Sequence, residues 1–292
     1  MKVGILTRNE NSWSSIQLRK ALTKRNIQHY CFSFPQLIAR IGYKPHVSAR
    51  NVKALEKLDA LIVRPIGRGS LEEIIFRMNM LHKLQRLGLY IVNPPKSIEY
   101  CADKYSLLTV LEENEVPVPR TVVTENVDEA LRAFKELGGD VVVKPIFGSR
   151  GVGSARVTDS EVATRVFRAV RFSHGVIYIQ EFIPHGFSDV RAFVIGNRVV
   201  AAMRRIARSW KTNVSQGAKP LPIKLDEKIE KIAVKSAGLI ECKVAGVDIL
   251  EGSKGCFVVE VNSQPGWRGL QSVTKVNIAE KIIDFILSEL KK

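Results

Sequence analysis

The sequence lacks several features that would each fix a class of protein. Its four cysteines, Cys31, Cys101, Cys242 and Cys256, are scattered with no C-x-x-C pair. That spacing indicates neither a zinc site nor a disulfide framework, and buried free thiols are expected. No run of about 18 apolar residues is present to span a bilayer. The N-terminus, MKVGILTRNE, turns polar too early for a secretory leader. A cytoplasmic chain with no membrane partner is therefore expected. Aromatic residues make up only 7% of the chain, and no block of about five or six basic residues occurs, which argues against a dedicated nucleic-acid surface. Neither the G-x-G-x-x-G fingerprint nor the G-x-x-x-x-G-K-[ST] loop is matched, so the two commonest nucleotide motifs are missing.

Acidic residues are the scarce charge: 29 Asp+Glu stand against 45 Lys+Arg, a net +16 at pH 7. Such an excess suits an anionic partner, whether nucleotide, nucleic acid, acidic peptide or polycarboxylate metabolite, although a solvated basic surface would also account for it. What is present in quantity is apolar patterning. The chain has 292 residues, 45% of them hydrophobic, enough for about two domains with buried cores. KVGILT, QHYCFS, DALIVRP and LYIVNPP read as short strands, the third of them buried, with amphipathic helices over Ser14 to Arg25 and 71–88 between them. Strands alternating with helices imply a parallel, doubly wound sheet. Pro94-Pro95 mark a boundary, beyond which SIEYCADKYSLLTVLEENEVPVPRTVV carries a helix into a Pro-broken turn. An α+β section follows, with strands at 141–144 and 176–183, a hairpin over 190–205 turned at Gly196-Asn197, a helix from Asp226, strands AGVDILE and CFVVEVN, and a last helix over Asn277 to Leu290.

The stretch VVVKPIFGSRGVG places Lys144 at the end of a strand and spills into a loop holding Gly148, Gly151 and Gly153. Backbone N–H groups of such a loop can close around a phosphate while the lysine supplies charge; the same residues would equally serve a hairpin. In CFVVEVN strict alternation puts Phe257, Val259 and Val261 on one face and Val258, Glu260 and Asn262 on the other. A carboxylate and an amide two residues apart can grip one hard cation. In GVDIL, Asp248 lies inside a strand that otherwise reads as buried, so it needs a partner or a metal. A single such carboxylate is satisfied by an ion pair with one of the many basic residues, whereas three oxygen ligands beside a lysine and a glycine loop suit Mg²⁺ on nucleotide phosphates.

With Asp103-Lys104, VVVKP and GSRGVG, QEFI, SDVRAFVIG, AAMRR, SWKTN, GVDIL and VEVNSQPGWRG in this order, the sequence resembles the ATP-grasp superfamily, specifically its RimK-like α-L-glutamate ligases. The resemblance runs from about Ser97 to Ala279 and extends loosely to the N-terminus. It implies an α/β chain with α+β character towards the C-terminus: a Rossmann-like, doubly wound domain at 1–95, a central ATP-grasp subdomain with a glycine-rich lid at 96–175, and a C-terminal subdomain with a metal site at 176–292. It implies that Lys104 and Lys144 contact ATP phosphates under a lid formed by Ser149 to Gly153, Gly151 included. Glu181 and Phe182 would form the hinge that reads adenine through backbone groups, with Asp189 beyond it on the nucleotide. Lys211 and Asn213 would lie near the phosphates and acceptor; many relatives have Arg at the first of these. Asp248, Glu260 and Asn262 match the ligands of a pair of Mg²⁺ or Mn²⁺ ions, and Arg191 and Arg204 would hold the phosphoryl group or a substrate carboxylate.

The implied reaction is glutamate ligation: an acceptor carboxylate attacks the γ-phosphate of ATP, and the amine of L-glutamate attacks the resulting acyl phosphate. No nucleophilic side chain is needed, so none of the five histidines requires a role. The acceptor is expected to be an anionic small molecule. RSWKTNVSQGA and PGWRGLQ are most similar to the tetrahydromethanopterin ligase branch, although Gly217-Ala218 replaces the usual Gly-Gly. A ribosomal-protein tail or a lysine-biosynthesis carrier protein are the alternatives, and a non-catalytic nucleotide-binding protein is the competing class. Trp210 and Trp267 would stack on a flat heterocycle or pack in the core. Homo-oligomerisation is left open.

Overall fold

The computed structural model describes residues 1–148 and 151–292. Its first sheet is built from β1 (Lys2–Leu6), α1 (Trp13–Thr23), β2 (Gln28–Phe32), the small hairpin β3 (Leu37–Ala39) and β4 (Val47–Ala49), β5 (Ala60–Val63), α2 (Leu71–Arg86) and β6 (Tyr90–Val92). The four main strands run in the order β2-β1-β5-β6 and pair in parallel. KVGIL and ALIV are apolar on both faces because both faces are covered. Leu18 and Leu22 of α1 pack on Val3, Ile5 and Ile62 from one side. Met78, Leu81 and Leu84 of α2 pack on Leu6, Leu61 and Val63 from the other. The β3–β4 hairpin is not visible in the sequence pattern, its strands being three residues each.

The helix expected after Pro95 is two helices, α3 (Pro95–Ala102) and α4 (Lys104–Glu113). Asp103 breaks them apart: it takes an extended conformation and its carboxylate accepts the N–H of Tyr105 and of Ser106, capping α4. The break makes Lys104 the first residue of α4 and turns it out of the helix packing.

Next come β7 (Thr121–Thr124), α5 (Val127–Glu136), β8 (Val141–Lys144), β9 (Ala155–Val157), α6 (Ser160–Phe172) and β10 (Ile177–Glu181). They form an antiparallel sheet, β7-β10-β8-β9. Both helices lie on one face, where Phe134 and Phe167 are buried against Val141 and Ile179; each such side chain contributes about 1.5–3 kcal/mol. The third sheet takes β11 (Ser188–Ile195), β12 (Arg198–Ile206), β13 (Lys219–Pro222), β14 (Val244–Gly252) and β15 (Gly255–Asn262), in the order β13-β12-β11-β14-β15. α7 (Glu227–Leu239) and α4 cover its apolar face. The short α8 (Arg268–Gln271) and α9 (Ile278–Glu289) end the chain.

α9 follows the third sheet in sequence, yet its Ile278, Ile282 and Ile286 share a core with α1 and the first sheet as well as with Phe193 and Ile195 of β11. Lys24–Glu280 at 3.0 Å and Arg25–Asp284 at 2.6 Å rim that contact. The first sheet and the third are thus joined through one hydrophobic core.

Candidate active site

The face of the third sheet turned away from α7 carries charge. Cross-strand register aligns Asp189 with Arg205, Arg191 with Asp248, Asp248 with Glu260, and Gly246 with Asn262. A bulge between Asp248 and Ile249 shifts the register, which corrects the strict alternation expected for CFVVEVN. Val258 does not share the face of Glu260; it is fully buried on the α7 side with Val261, and the extra residue, Val259, lines the charged side instead.

This face and the second sheet enclose an open cleft of about 880 Å³. Lys104, Lys144, Gly151, Glu181, Phe182, Asp189, Lys211, Asn213, Asp248 and Glu260 all line it. Ser149 lies outside the described residues. Gly153, Arg191, Arg204 and Asn262 are not in its wall. Arg191 sits directly behind, donating from Nη2 to Asp248 at 2.5 Å and from Nε to the other oxygen. Asn262 donates to the Gly246 carbonyl at 3.4 Å. Arg204 is on the wrong face: it points away from the cleft, half-exposed, paired with Glu251 at 2.5 Å. Its neighbour Arg205, one residue on and therefore on the opposite face, is the arginine that enters the site.

At one end of the cleft, Lys104 donates to the carbonyls of Ile146 and Gly148 at 3.1 and 3.0 Å, and Lys144 to Gln180 Oε1 at 2.6 Å. Burial pushes both ammonium groups down, Lys144 to about 8. The loop after β8 is tied across the cleft by Lys211 to the Gly151 carbonyl at 3.5 Å. Gly151 is required twice over: its φ is +68°, and a Cβ there would lie 2.6 Å from Asn213 Oδ1. At the other end the wall is apolar. Arg156 stacks on Phe182 at 3.6 Å and is itself held by Asp140. The N–H groups of Glu181 and Phe182 are given to the carbonyls of Arg120 and Asp140. Backbone recognition at this hinge therefore falls to other groups; the N–H of Ile183 has no partner among the described residues.

Between the two ends lies a buried ion network. Arg205 donates to Asp189 from Nε at 2.6 Å and stands 3.1 Å from Asp248, while Thr212 Oγ1 donates to Asp189 at 2.7 Å. Burial raises the Asp189 carboxyl, and Arg205 only partly offsets it. Burial would also raise Asp248, but Arg191 and Arg205 hold it below the usual carboxylate range. Glu260 is different. Burial and then the Asp248 charge push it up, and it has no hydrogen bond or ion pair among the described residues. A desolvated carboxylate without a partner is a costly arrangement unless a cation completes it. The residues fit a hard divalent cation: Glu260, the lone pairs of Asp248 that its arginines leave free, and the Asn262 amide oxygen are all oxygen donors. Among the described residues no cluster of three or more His, Cys, Asp and Glu exists, so an amide or a ligand must supply any further donors.

Sequence reasoning left Gln180, His185 and Thr212 out of its site, although all three line the cleft, and it set Arg205 near the acyl-phosphate position, where the cleft wall includes it. The signal for Gln180 was its place before Glu181 in QEFI; Thr212 gives none until Asp189 is known to be buried. Trp267 is 1% exposed, packed edge-on against Trp13 and Phe193, so it belongs to the core. Trp210 lines the cleft with Lys211 over its ring at 5.2 Å. Of the cysteines, only Cys242 is buried; the others are half-buried.

The model of the RimK-like ATP-grasp domain matches residues 101–286 and that of the RimK PreATP-grasp domain residues 1–98. The chain is 34% identical to the tetrahydromethanopterin:alpha-L-glutamate ligase of Methanococcus maripaludis and 35% identical to that of Methanocaldococcus jannaschii, each alignment covering 100% of both chains. Among solved structures, the ATP-grasp ligase PsnB complexed with minimal precursor, Mg and ADP superposes with a TM-score of 0.77 at 18% identity, covering 100% of this chain and 98% of that one.

Proposed function

The chain belongs to the RimK-like ATP-grasp family and is an ATP-dependent ligase, and from that premise we propose that it joins L-glutamate to the carboxylate of a small anionic acceptor, a tetrahydromethanopterin-like pterin. The observation that carries the reading is the half-buried Glu260 beside Asp248, without a hydrogen bond or ion pair among the described residues and set in one cleft with Lys104 and Lys144. Two cationic ammonium groups and a carboxylate pair in one desolvated space suit a triphosphate held with Mg²⁺ or Mn²⁺. Asp248, Glu260 and Asn262 would hold the metal, which neutralises phosphate charge and acts as a Lewis acid when bound. Phe182, braced by Arg156, and the Ile183 N–H serve the base. Lys144 and Lys104 balance the charge that develops as the γ-phosphoryl group moves to the acceptor carboxylate, and the glutamate amine then displaces phosphate. The chain positions the reactants and supplies no nucleophile. Support for the pterin is the activity of the archaeal relatives, together with Trp210, a flat half-buried ring on the cleft wall. Consumption of ATP and free thiols suit the cytoplasm.

ADP release from ATP, Mg²⁺ and L-glutamate, measured with tetrahydromethanopterin, a deazaflavin cofactor and a peptide ending in glutamate, tests this. A mass gain of one glutamyl residue on the pterin is expected. Turnover of the peptide alone would overturn the choice of acceptor, and no glutamate-dependent release with any of them would overturn the ligase reading. Arg204→Ala is expected to change KM and kcat less than about 2-fold, because the half-exposed Arg204–Glu251 pair faces away from the cleft and contributes on the order of 1 kcal/mol to stability.

Lys144 makes nucleotide binding pH-dependent. Its folded pKa, about 8, lies below the ordinary 10.5. Folding therefore favours the neutral amine, a contribution complete above the ordinary value and lost as pH falls through about 8. At neutral pH the unliganded chain bears a desolvated ammonium that phosphate would stabilise. ATP binding is expected to take up a proton near pH 8.5, and affinity to fall about 10-fold for each unit above the Lys144 pKa. Calorimetry in two buffers of different ionisation enthalpy measures the uptake. Lys144→Arg should remove it; uptake that persists in that variant would refute the assignment.

A further inference from the structure

The four cysteines are far apart in sequence, yet the fold brings two of them into contact. Cys101, on the last turn of α3, has its Sγ 3.8 Å from that of Cys242, in the turn between α7 and β14. A disulfide bond is about 2.05 Å long, so an approach of under about 2 Å separates the two thiols from bonding. The other two cysteines stand elsewhere: Cys31 belongs to β2 of the first sheet, and Cys256 lies opposite Glu251 at the far end of β14. Within the pair, Cys242 is buried and Cys101 is the residue that solvent reaches.

The two backbones are held side by side without help from the sulfurs. Asn93, just before α3, accepts the N–H groups of Lys243 and Val244 at 2.7 and 2.9 Å and donates to the Val244 carbonyl at 2.6 Å. Lys96 pairs with Glu241 at 3.1 Å, and the Cys242 N–H donates to the Ala237 carbonyl at 2.9 Å. Cys242 is therefore the fixed half of the pair. Cys101 is the half that can shift, since α3 ends one residue later and the chain breaks at Asp103 before α4. The sulfurs also differ in reactivity, because the thiolate is the nucleophile. The adjoining Cys101 sulfur and then burial push the Cys242 thiol up. The buried Ser97 hydroxyl, one turn before Cys101 and without a hydrogen-bond partner, acts on Cys242 in the opposite sense. The half-exposed Cys101 thus reacts first with a small oxidant, and Cys242 is the sulfur that resolves it.

We propose that Cys101 and Cys242 are a redox pair: hydrogen peroxide oxidises Cys101, Cys242 closes a disulfide between α3 and the start of β14, and closure displaces Lys104 in the cleft. The Cys101 thiolate attacks one peroxide oxygen, the O–O bond breaks, hydroxide leaves, and a sulfenic acid remains; the Cys242 sulfur then displaces hydroxide from it. Two thiols and one peroxide give one disulfide and two waters, the thiol protons going to the two hydroxides. Only Ala102 and Asp103 separate Cys101 from Lys104, and it is the Asp103 cap that makes Lys104 the first residue of α4. The thiol chemistry stands apart from the ligase reading, whereas the effect on nucleotide binding rests on the place that reading gives Lys104.

The test maps the cysteines of the full chain by mass before and after hydrogen peroxide, with remaining thiols alkylated, and measures Mg²⁺–ATP binding on the same samples by calorimetry. Alkylated cysteines are expected to fall from four to two, with a crosslinked peptide holding Cys101 and Cys242. The Kd of ATP should rise at least about 10-fold, since misplacing a positioned group by about 1 Å can cost that much or more. Dithiothreitol should reverse both changes. Cys101→Ser should bind ATP as the reduced wild type does and be indifferent to peroxide, and Cys242→Ala should stop at a Cys101 sulfenic acid that dimedone traps. No Cys101–Cys242 crosslink, or crosslinks spread at random over the four cysteines, overturns the pair. A crosslink that forms and leaves the Kd unchanged overturns its hold on Lys104. Should Cys242→Ala fail to fold, wild type and Cys101→Ser decide alone. Absence of glutamate-dependent turnover would condemn the ligase reading and leave both readouts standing, because neither uses glutamate or an acceptor, so the two failures are distinguishable.

Discussion

Glu260→Gln is expected to lower Mg²⁺-dependent turnover by about 10³-fold, the scale of several kcal/mol that a metal supplies to phosphoryl transfer, while leaving the chain folded. The replacement keeps shape and removes charge. Glu260 has no ion pair to lose, and its carboxyl is raised by burial and by Asp248. A carboxylate raised in the fold favours folding in its protonated form, a contribution complete below the ordinary glutamate range and lost as pH rises through the raised value. At neutral pH the ionised group therefore destabilises the unliganded chain, and glutamine relieves it. The melting temperature of the variant should equal or exceed that of wild type at pH 7, with the difference closing in acid. Asp248→Asn should behave oppositely, since it breaks contacts with Arg191 and Arg205. Turnover of Glu260→Gln within a few-fold of wild type, or a melting temperature well below it, would sink the assignment of Glu260 as the cation's anchor.

These opposite expectations for two adjacent carboxylates mark where the sequence was legible and where it was not. The central strands β1 and β5 of the first sheet could be read because each is an apolar run buried on both faces, and Gly88, at φ +91°, stops α2 as a terminal glycine should. Asp248 and Glu260 stood out because charge inside an apolar strand needs a reason. What could not be read was which carboxylate is paired, because that depends on strand order: Arg191 and Arg205 reach Asp248 only once β11 lies between β12 and β14. Arg204 and Arg205 differ by one position, and only the register of β12 against β11 decides which faces the cleft. The bulge at Val259 was hidden for the same reason, since one inserted residue breaks an alternation that the sequence alone continues. Arg64 was passed over as the end of an apolar strand. Its burial appears only when the loop at Pro265 and Trp267, some two hundred residues away, packs on it.

Arg205→Met should be the most destabilising single change in the site. Arg205 is 4% exposed and joins two buried carboxylates, Asp189 and Asp248; their charges hold it protonated despite its burial. Methionine fills a similar volume but leaves Asp189 with only the Thr212 hydroxyl and Asp248 with Arg191 alone. Removing one partner of a buried ion pair typically costs about 3–5 kcal/mol, on the order of 10 °C in melting temperature for a chain of this size. The deficit should depend on pH in a definite direction. Burial already raises the Asp189 carboxyl with Arg205 present, and without the arginine it rises further. A raised carboxyl favours folding in its protonated form and loses that contribution as pH climbs through the raised value. The gap between Arg205→Met and wild type should therefore be widest at neutral pH and narrow as pH falls towards the carboxylate range. Adding Asp189→Asn removes one of the two stranded charges and should restore part of the loss, giving a coupling energy that a double-mutant cycle measures directly. Thermal melts of the four chains across that pH range would decide it. If Arg205→Met costs less than about 1 kcal/mol, or if the loss is the same at every pH, the network is not the electrostatic unit described here, and the third sheet is held by its apolar face alone.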